Sequence, residues 1–260
     1  MNDFEFKKSL GQNFIKDDNI IDKIVSNVDI DKDTLVIEIG PGAGSLSKKI
    51  IPLSGYTIMY EIDTRLKEIL NEVLKDNDNY EIIFNDFLLQ DVFKDIERFN
   101  YKKIYVVANL PYYITTPIIT KLMKEIRPDK IVIMIQEEVA DRLCANYGSR
   151  DYGMITVLLS SVYDIKKIFR VSRNCFMPMP GVDSAVIILT KKEISNVDNI
   201  EFFEKFIKDA FQFKRKNLRN NLKGYDLDKI ESILKKYNYT LSNRAEEIPT
   251  DIFIEITNNL

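Results

Sequence analysis

The tetrapeptide Asn109-Leu110-Pro111-Tyr112 carries groups suited to chemistry on an adenine base. The N6 amino group of adenine is a poor nucleophile because its lone pair is spread into the ring, so it needs acceptors for its two hydrogens. Asn109 Oδ1 and the Leu110 carbonyl would supply both acceptors. Tyr112 offers a flat face on which a base that has left its helix can stack. Pro111 fixes its own φ and favours an extended backbone at Leu110.

An apolar run directly precedes this tetrapeptide and predicts a buried strand over residues 104–108. Parallel sheets bind ligands at the carboxyl ends of their strands, so the tetrapeptide stands where chemistry is expected. In the alternative interpretation the strand simply ends in a proline turn and Tyr112 packs in the core, because short motifs often match by chance.

A second motif is a glycine-rich turn that follows a predicted strand. Residues 35–44 read as strand and turn, and residues 45–51 as the start of a helix. The spacing of Gly40, Gly42 and Gly44 differs from the dinucleotide pattern G-x-G-x-x-G, because the third glycine comes one residue early and Ser45 takes its place. The turn therefore favours S-adenosylmethionine, whose charge lies on a sulfonium and an amino acid, over NAD.

Two acidic residues end the next two predicted strands. Glu61 follows the run 56–60 and comes 21 residues after Gly40. A carboxylate at this position can accept hydrogen bonds from both hydroxyls of a ribose. Asp86 follows the run 80–84 and is placed to accept a hydrogen bond from the adenine amino group of the cofactor. Each acid alone is equally typical of a solvated or helix-capping residue. Together with Asn109 they place a suitable polar residue at the end of three predicted strands, a pattern that rarely arises by chance.

Four segments resemble the ribosomal RNA adenine N6-dimethyltransferases of the KsgA type, namely residues 10–15, 38–44, 109–117 and 175–186. The resemblance implies an α/β, Rossmann-like, class I S-adenosylmethionine-dependent methyltransferase. It implies dimethylation of two adjacent adenosines near the 3′ end of small-subunit rRNA during subunit biogenesis, with the small ribosomal subunit as partner. It also implies a cofactor pocket lined by Asn13, Ile15, Gly40, Gly42, Glu61, Asp86 and Asn109.

Composition excludes several classes of enzyme. The 260 residues are 45% hydrophobic, enough for one large and one small domain with a substantial core. The chain has no histidine, which excludes Ser-His-Asp and Cys-His catalysis and the usual zinc-hydrolase ligands, so we expect no metal. Two cysteines, no signal-like N-terminus and no long apolar run predict a cytoplasmic protein with reduced thiols and no membrane contact. We expect a monomer.

A basic segment stands out from the net charge of −3. Between Lys205 and Lys223 there are seven basic residues and one acid, Asp209. Apolar residues at helical spacing from 203 to 222 predict an amphipathic helix whose basic face meets RNA phosphates. The RNA-binding residues would be Lys214, Arg215 and Arg219. The alternative is a merely solvated helix face.

The pattern of elements divides the chain near residue 190. Residues 1–190 read as an S-adenosylmethionine-binding catalytic domain of alternating strands and helices, after an extended basic arm to about residue 16. Residues 191–260 read as a helical RNA-binding domain. Phe176, in a loop stiffened by two prolines, is a candidate for the second aromatic face around the flipped adenine, with burial against the sheet as the alternative. Tyr113 reads as a packing residue.

Two other functions stay open from the sequence. A large-subunit rRNA adenine N6-methyltransferase of the antibiotic-resistance type shares the glycine-rich turn and the Asn-Leu/Ile-Pro-Tyr site, although residues 176–186 argue against it. A non-catalytic ribosome-assembly factor would keep the fold and the RNA surface without methyl transfer. The presence of Glu61, Asp86 and Asn109 together counts against that interpretation.

Overall fold

The computed structural model describes residues 12–194 and 196–260. Most of the predicted basic arm, including Leu10 and Gly11 of the resembling segment 10–15, lies outside the described residues. The chain forms two compact units. One is built around a β-sheet and the other is helical.

The described strands are β1 Phe14–Ile15, β2 Thr34–Ile39, β3 Tyr56–Tyr60, β4 Tyr80–Ile83, β5 Lys103–Asn109, β6 Lys130–Gln136, β7 Tyr163–Val171, β8 Phe176–Met177 and β9 Ser184–Lys191. Seven of them form the main sheet, in the order β4-β3-β2-β5-β6-β9-β7. The first five strands in this order are parallel, and β9 runs antiparallel to β6. The predicted α/β fold is confirmed, including the closing pair of strands.

Helices follow most of the parallel strands. The described α-helices are α1 Asp18–Val25, α2 Ser47–Ile50, α3 Lys67–Leu74, α4 Val92–Ile96, α5 Thr115–Glu125, α6 Glu137–Leu143, α7 Met154–Ser160, α8 Ile200–Ala210, α9 Leu218–Asn221, α10 Leu227–Lys236 and α11 Thr250–Asn259. Because helices cover both faces of a parallel sheet, its central strands are buried on both sides, and all six residues of β2 are buried.

The order of strands fixes where a ligand can enter. From β2 the chain first adds β3 and β4 on one side and then returns to add β5 and β6 on the other. The connections leaving β2 and β5 therefore diverge, and they open a crevice at the carboxyl ends of these two strands. The glycine-rich turn follows β2 and the tetrapeptide 109–112 follows β5, so both predicted motifs meet at this crevice.

A separate two-stranded sheet joins distant parts of the first unit. Strand β1 pairs antiparallel with β8, with Phe14 opposite Met177 and Ile15 opposite Phe176. The Lys16 backbone N–H extends the pairing by donating to the Cys175 carbonyl at 2.8 Å. This sheet places residue 13, which directly precedes β1, beside the end of β5.

The second unit comprises residues 141–165 and 192–260. Its core includes Phe203, Phe206, Ile207 and Ala210 from one face of α8. Residues 141–165, which the sequence analysis had assigned to the catalytic domain, lie in this second unit together with residues 192–260. The reason is packing, because Tyr152 and Val157 are buried in the same core as α8.

In the described part of the chain, every helix is too short or too polar to cross a bilayer. The same residues contain no group of three or more Cys, Asp or Glu side chains placed to hold a metal ion.

Candidate active site

A cavity at the carboxyl ends of the parallel strands brings together most of the predicted site residues. Nine of them line it: Asn13, Ile15, Gly40, Gly42, Glu61, Asp86, Asn109, Leu110 and Tyr112. They come from five segments of the chain, and each segment lies at or next to the end of a strand. The topology of the sheet is therefore what assembles the site.

The glycine-rich turn needs glycine for two different reasons. Gly40 and Gly42 have positive φ angles of 71° and 59°, which residues other than glycine rarely adopt. A Cβ on Gly42 would also lie 2.6 Å from the Phe14 ring. Gly40 meets no protein atom in that direction, so the space beside it belongs to the cavity.

Glu61 is buried at the end of β3, and both of its carboxylate oxygens accept backbone hydrogen bonds. Oε2 accepts from Gly42 N at 3.0 Å and Oε1 accepts from Asp63 N at 2.8 Å. Burial raises the pKa of Glu61, while these backbone bonds oppose the rise. Each oxygen has a second lone pair, so the fixed carboxyl can still accept from a ligand hydroxyl.

Asp86 follows β4 and lines the cavity. Its Oδ1 accepts from Leu88 N at 2.9 Å and so caps the short 3-10 helix at residues 87–89. The capping role that the sequence left open is therefore real. No hydrogen bond between described residues engages Oδ2, so this oxygen is free to accept from a ligand that reaches the cavity.

Asn109 has its amide orientation fixed by one contact. Its Nδ2 donates to the Asn13 carbonyl at 2.9 Å, across 96 residues of sequence. A carbonyl can only accept a hydrogen bond, so the amide nitrogen must face Asn13. Asn109 Oδ1 consequently points away from Asn13 as an acceptor, which is the orientation that holding an amino group requires.

Leu110 and Tyr112 are also held in place. Leu110 N donates to the Met134 carbonyl at 3.1 Å, and among the described residues nothing donates to the Leu110 carbonyl. The Tyr112 hydroxyl lies 2.7 Å from Ser184 Oγ. Burial raises the pKa of Tyr112, so its hydroxyl stays protonated near neutral pH and is no general base.

Phe176 does not lie in the cavity. Its side chain is 1% exposed and belongs to the core cluster that also contains Val107 and Met134. The alternative of burial against the sheet is therefore correct, and the stacking role is wrong for this conformation. The cause is the pairing of β8 with β1, which turns the ring inward opposite Ile15.

Two cavity residues were missed or misjudged from the sequence. Tyr113 was read as a packing residue, but its side chain is 59% exposed and lines the cavity. Glu38, two residues before Gly40, is 1% exposed and lines the same cavity. Burial raises the pKa of Glu38 to about 8, and the nearby Glu61 carboxylate adds to the rise. A charged residue inside an otherwise apolar strand was the signal that could have identified Glu38.

The cavity residues fit S-adenosylmethionine. Glu38 Oε2 is buried and has no hydrogen-bond partner among the described residues, which is costly unless a ligand or water supplies one. Glu61 and Asp86 offer acceptors at two further points of the same cavity. Gly40 leaves room for a ligand to approach the backbone closely.

Lys214, Arg215 and Arg219 lie in the second unit and are exposed. The predicted continuous helix from 203 to 222 is wrong, because α8 ends at Ala210 and α9 begins at Leu218. Asn217 caps α9 by accepting from Asn220 N, so a new helix starts there. We call residues 212–219, which comprise the connection after α8 and the first two residues of α9, the basic loop; it carries four basic residues and no acid.

Comparison with known proteins identifies the family. The sequence profile of the ribosomal RNA adenine dimethylase family matches residues 3–260. The chain belongs to this family. It is 42% identical over 269 aligned positions to a protein of Bacillus pumilus (strain SAFR-032) named ribosomal RNA small subunit methyltransferase A, covering 99% of this chain and 92% of that one.

Solved structures agree with this family. A dimethyladenosine transferase from Plasmodium falciparum superposes with a TM-score of 0.78 at 25% identity, covering 94% of this chain and 95% of that chain. The 23S rRNA methyltransferase ErmE superposes with a TM-score of 0.76 at 23% identity, covering 95% of this chain and 99% of that chain. The second likeness shows a shared fold alone. The predicted enzyme class, an S-adenosylmethionine-dependent rRNA adenine dimethyltransferase, is confirmed.

Proposed function

We propose that this enzyme transfers methyl groups from S-adenosylmethionine to N6 of two adjacent adenosines near the 3′ end of small-subunit rRNA, during small-subunit biogenesis. The observation that carries the proposal is the Asn109 amide, whose contact with Asn13 leaves Oδ1 as an acceptor in a residue that lines the cavity together with Leu110. Two acceptors at one edge of a cavity match the two hydrogens of an adenine amino group.

S-adenosylmethionine supplies an electrophilic methyl group on its sulfonium. Glu61 would accept hydrogen bonds from the hydroxyls of its ribose. Asp86 would accept a hydrogen bond from the cofactor's adenine amino group. Asn109 and the Leu110 carbonyl would hold the target amino group by accepting its two hydrogens, and the partial negative charge on their oxygens would make that nitrogen more electron-rich. Orientation and charge placement then supply most of the rate, with no covalent enzyme intermediate.

Tyr112 would hold the unstacked target base through its ring. Its hydroxyl is engaged with Ser184, and burial raises its pKa, so neither geometry nor acidity suits it to proton abstraction. The N6 nitrogen becomes acidic only after it has attacked the methyl group, and its proton then leaves to water. A second transfer requires only that the monomethylated amine rotate.

The small subunit is favoured over the large one as the substrate. The relative at 42% identity is named for the small subunit, whereas the likeness to ErmE, at 23% identity, concerns the fold alone. A purely structural role in ribosome assembly is less well supported, because it would not require the fixed acceptors at Asn109 and Glu61. We further propose that the enzyme acts as a monomer, in the cytoplasm and without a metal.

Tritium transfer from labelled S-adenosylmethionine tests the proposal. Small subunits that lack the modification should accept label, and mature small subunits and large subunits should not. Mass spectrometry of the labelled rRNA should find two adjacent N6-dimethyladenosines. Labelling of large subunits instead would support the antibiotic-resistance type of activity, and no labelling at all, with stable binding to small subunits, would support an assembly factor.

A further inference from the structure

The Tyr112 ring has an anchor that lies outside the cavity. The Tyr112 hydroxyl and Ser184 Oγ share a hydrogen bond of 2.7 Å across 72 residues of sequence. Ser184 is 0% exposed and does not line the cavity, so it cannot reach a bound substrate. We propose that Ser184 is a positioning residue, whose hydroxyl holds the phenol of Tyr112 and thereby fixes the plane of the ring against which the target base stacks. The inference rests on the proposed function.

Ser184 is itself rigidly placed. It is the first residue of β9 and pairs with Gln136 at the end of β6. The preceding residue, Asp183, accepts from Glu137 N through its carbonyl at 3.0 Å and from Arg173 N through Oδ1 at 2.8 Å. Arg170 adds an ion pair with the other Asp183 oxygen at 2.5 Å. A hydroxyl fixed by a strand and by its neighbour's contacts is a better anchor than one on a free loop.

The tetrapeptide is thereby tied at three points to three other segments. Asn109 donates to Asn13, Leu110 donates to Met134, and Tyr112 bonds to Ser184. The first two contacts set the acceptors for the amino group, and the third sets the stacking face. A tyrosine side chain can rotate about two torsions, χ1 and χ2. The hydrogen bond between Ser184 and the hydroxyl restricts both rotations before the base binds, so stacking loses less conformational entropy.

The experiment compares Ser184→Ala, Tyr112→Phe and the double variant in single-turnover methylation at saturating S-adenosylmethionine. Each single variant should lower the rate about three- to tenfold, the range for one lost hydrogen bond between neutral groups. The double variant should be no slower than either single variant, because both changes remove the same bond. The affinity for S-adenosylmethionine should stay unchanged in all three.

Ser54→Ala is the matched control. Ser54 is also a fully buried serine of the first unit and its Oγ lies 2.9 Å from Thr57 Oγ1, but it does not line the cavity. Its replacement should cost comparable stability and leave the methylation rate within twofold of wild type. A Ser184→Ala rate that is also within twofold, or single-variant losses that multiply in the double variant, would overturn the inference.

A second readout is independent of methylation. With ring-labelled tyrosine, NMR signals assigned to Tyr112 by their loss in Tyr112→Phe should shift and broaden in Ser184→Ala and remain in place in Ser54→Ala. Unchanged Tyr112 signals in Ser184→Ala would reject the anchor even if methylation were affected. Absence of methylation by the wild-type enzyme, with a Tyr112 ring that does respond to Ser184→Ala, would instead reject the proposed function and leave the anchor standing.

Discussion

The cavity residues and the basic loop hold their functional groups in opposite ways. Asn109, Glu61 and Tyr112 each make a hydrogen bond of 2.7–3.0 Å to a residue distant in the sequence. In the basic loop the charged side chains are exposed, and the contact made by Lys214 is a long one of 3.4 Å to the Arg150 carbonyl. The difference matches the two tasks, because transfer to one nitrogen needs fixed partners, whereas attraction of phosphates needs charge more than geometry.

The largest effect is expected at Asn109. Asn109→Ala removes one acceptor for the amino group and should lower single-turnover methylation at least about a hundredfold, as deletion of one preorganised polar partner does in other enzymes. The affinity for RNA should change little. Asn27→Ala, at a half-buried asparagine outside the cavity, is the control. An Asn109→Ala enzyme with more than a tenth of the wild-type rate would mean that the amide does not hold the reacting group.

Tyr112 comes next, because stacking on one aromatic ring is worth roughly 1 to 3 kcal/mol per base. Tyr112→Ala should lower kcat/KM for RNA by about ten- to a hundredfold, whereas Tyr112→Phe, which keeps the ring, should stay within about tenfold of wild type. Steady-state methylation over a range of RNA concentrations measures both. Equal losses in the two variants would assign the role to the hydroxyl instead of the ring.

Glu61 tests whether fixed geometry also governs cofactor binding. Glu61→Ala should weaken S-adenosylmethionine binding by about 1 to 3 kcal/mol through loss of charge-assisted hydrogen bonds to the ribose. Calorimetry measures the change. Glu81→Gln, at a half-buried acid of β4 outside the cavity, should leave affinity near wild type. Unchanged affinity in a folded Glu61→Ala protein would remove the ribose assignment.

Glu38 links the cavity to stability. Because its pKa rises from 4.5 to about 8 on folding, the folded state holds a proton that the unfolded state releases between these values. The free energy of unfolding should therefore fall as pH rises from about 5 to 8, by about 1.4 kcal/mol for each unit of pKa difference. Urea unfolding should show a flatter pH profile for Glu38→Gln, and the wild-type slope for Glu138→Gln, at an exposed acid. Parallel profiles for Glu38→Gln and wild type would contradict the raised pKa.

The sequence predicted the strand tips well because two local signals coincide there. Buried parallel strands read as apolar runs, and the polar residues that end them at Glu61, Asp86 and Asn109 fall at one edge once the strands are parallel. Nothing more distant was needed to bring these residues together. Residue orientation was not predictable in the same way, since the direction of the Asn109 amide depends on Asn13, 96 residues away.

The failures have the complementary cause. Strand β8 has two residues, too few to show alternation, and the burial of Phe176 is decided by its pairing with Ile15. In the second unit, apolar spacing continued past Ala210 and suggested one helix. The helix instead ends there, and Asn217, a preferred N-cap residue, marks the start of the next one. Capping residues were thus a better guide to the helix ends than periodicity.

The basic loop should give the smallest effect per residue, because each exposed charge contributes separately to binding. Replacing Lys214, Arg215 and Arg219 by Ala should weaken RNA binding and reduce the slope of log affinity against log salt by up to about 0.7 to 0.9 per lost phosphate contact. Arg219 should matter least of the three, since the Glu231 carboxylate lies 4.0 Å from its guanidinium and already attracts it. Binding measured between about 50 and 200 mM salt gives the slope.

Lys235→Ala with Lys236→Ala, on α10, is the control, because it removes two exposed charges elsewhere in the second unit and should leave the slope near wild type. An unaltered slope for the triple variant, with methylation intact, would mean that the basic loop is only a solvated surface and that RNA is held by another part of the enzyme.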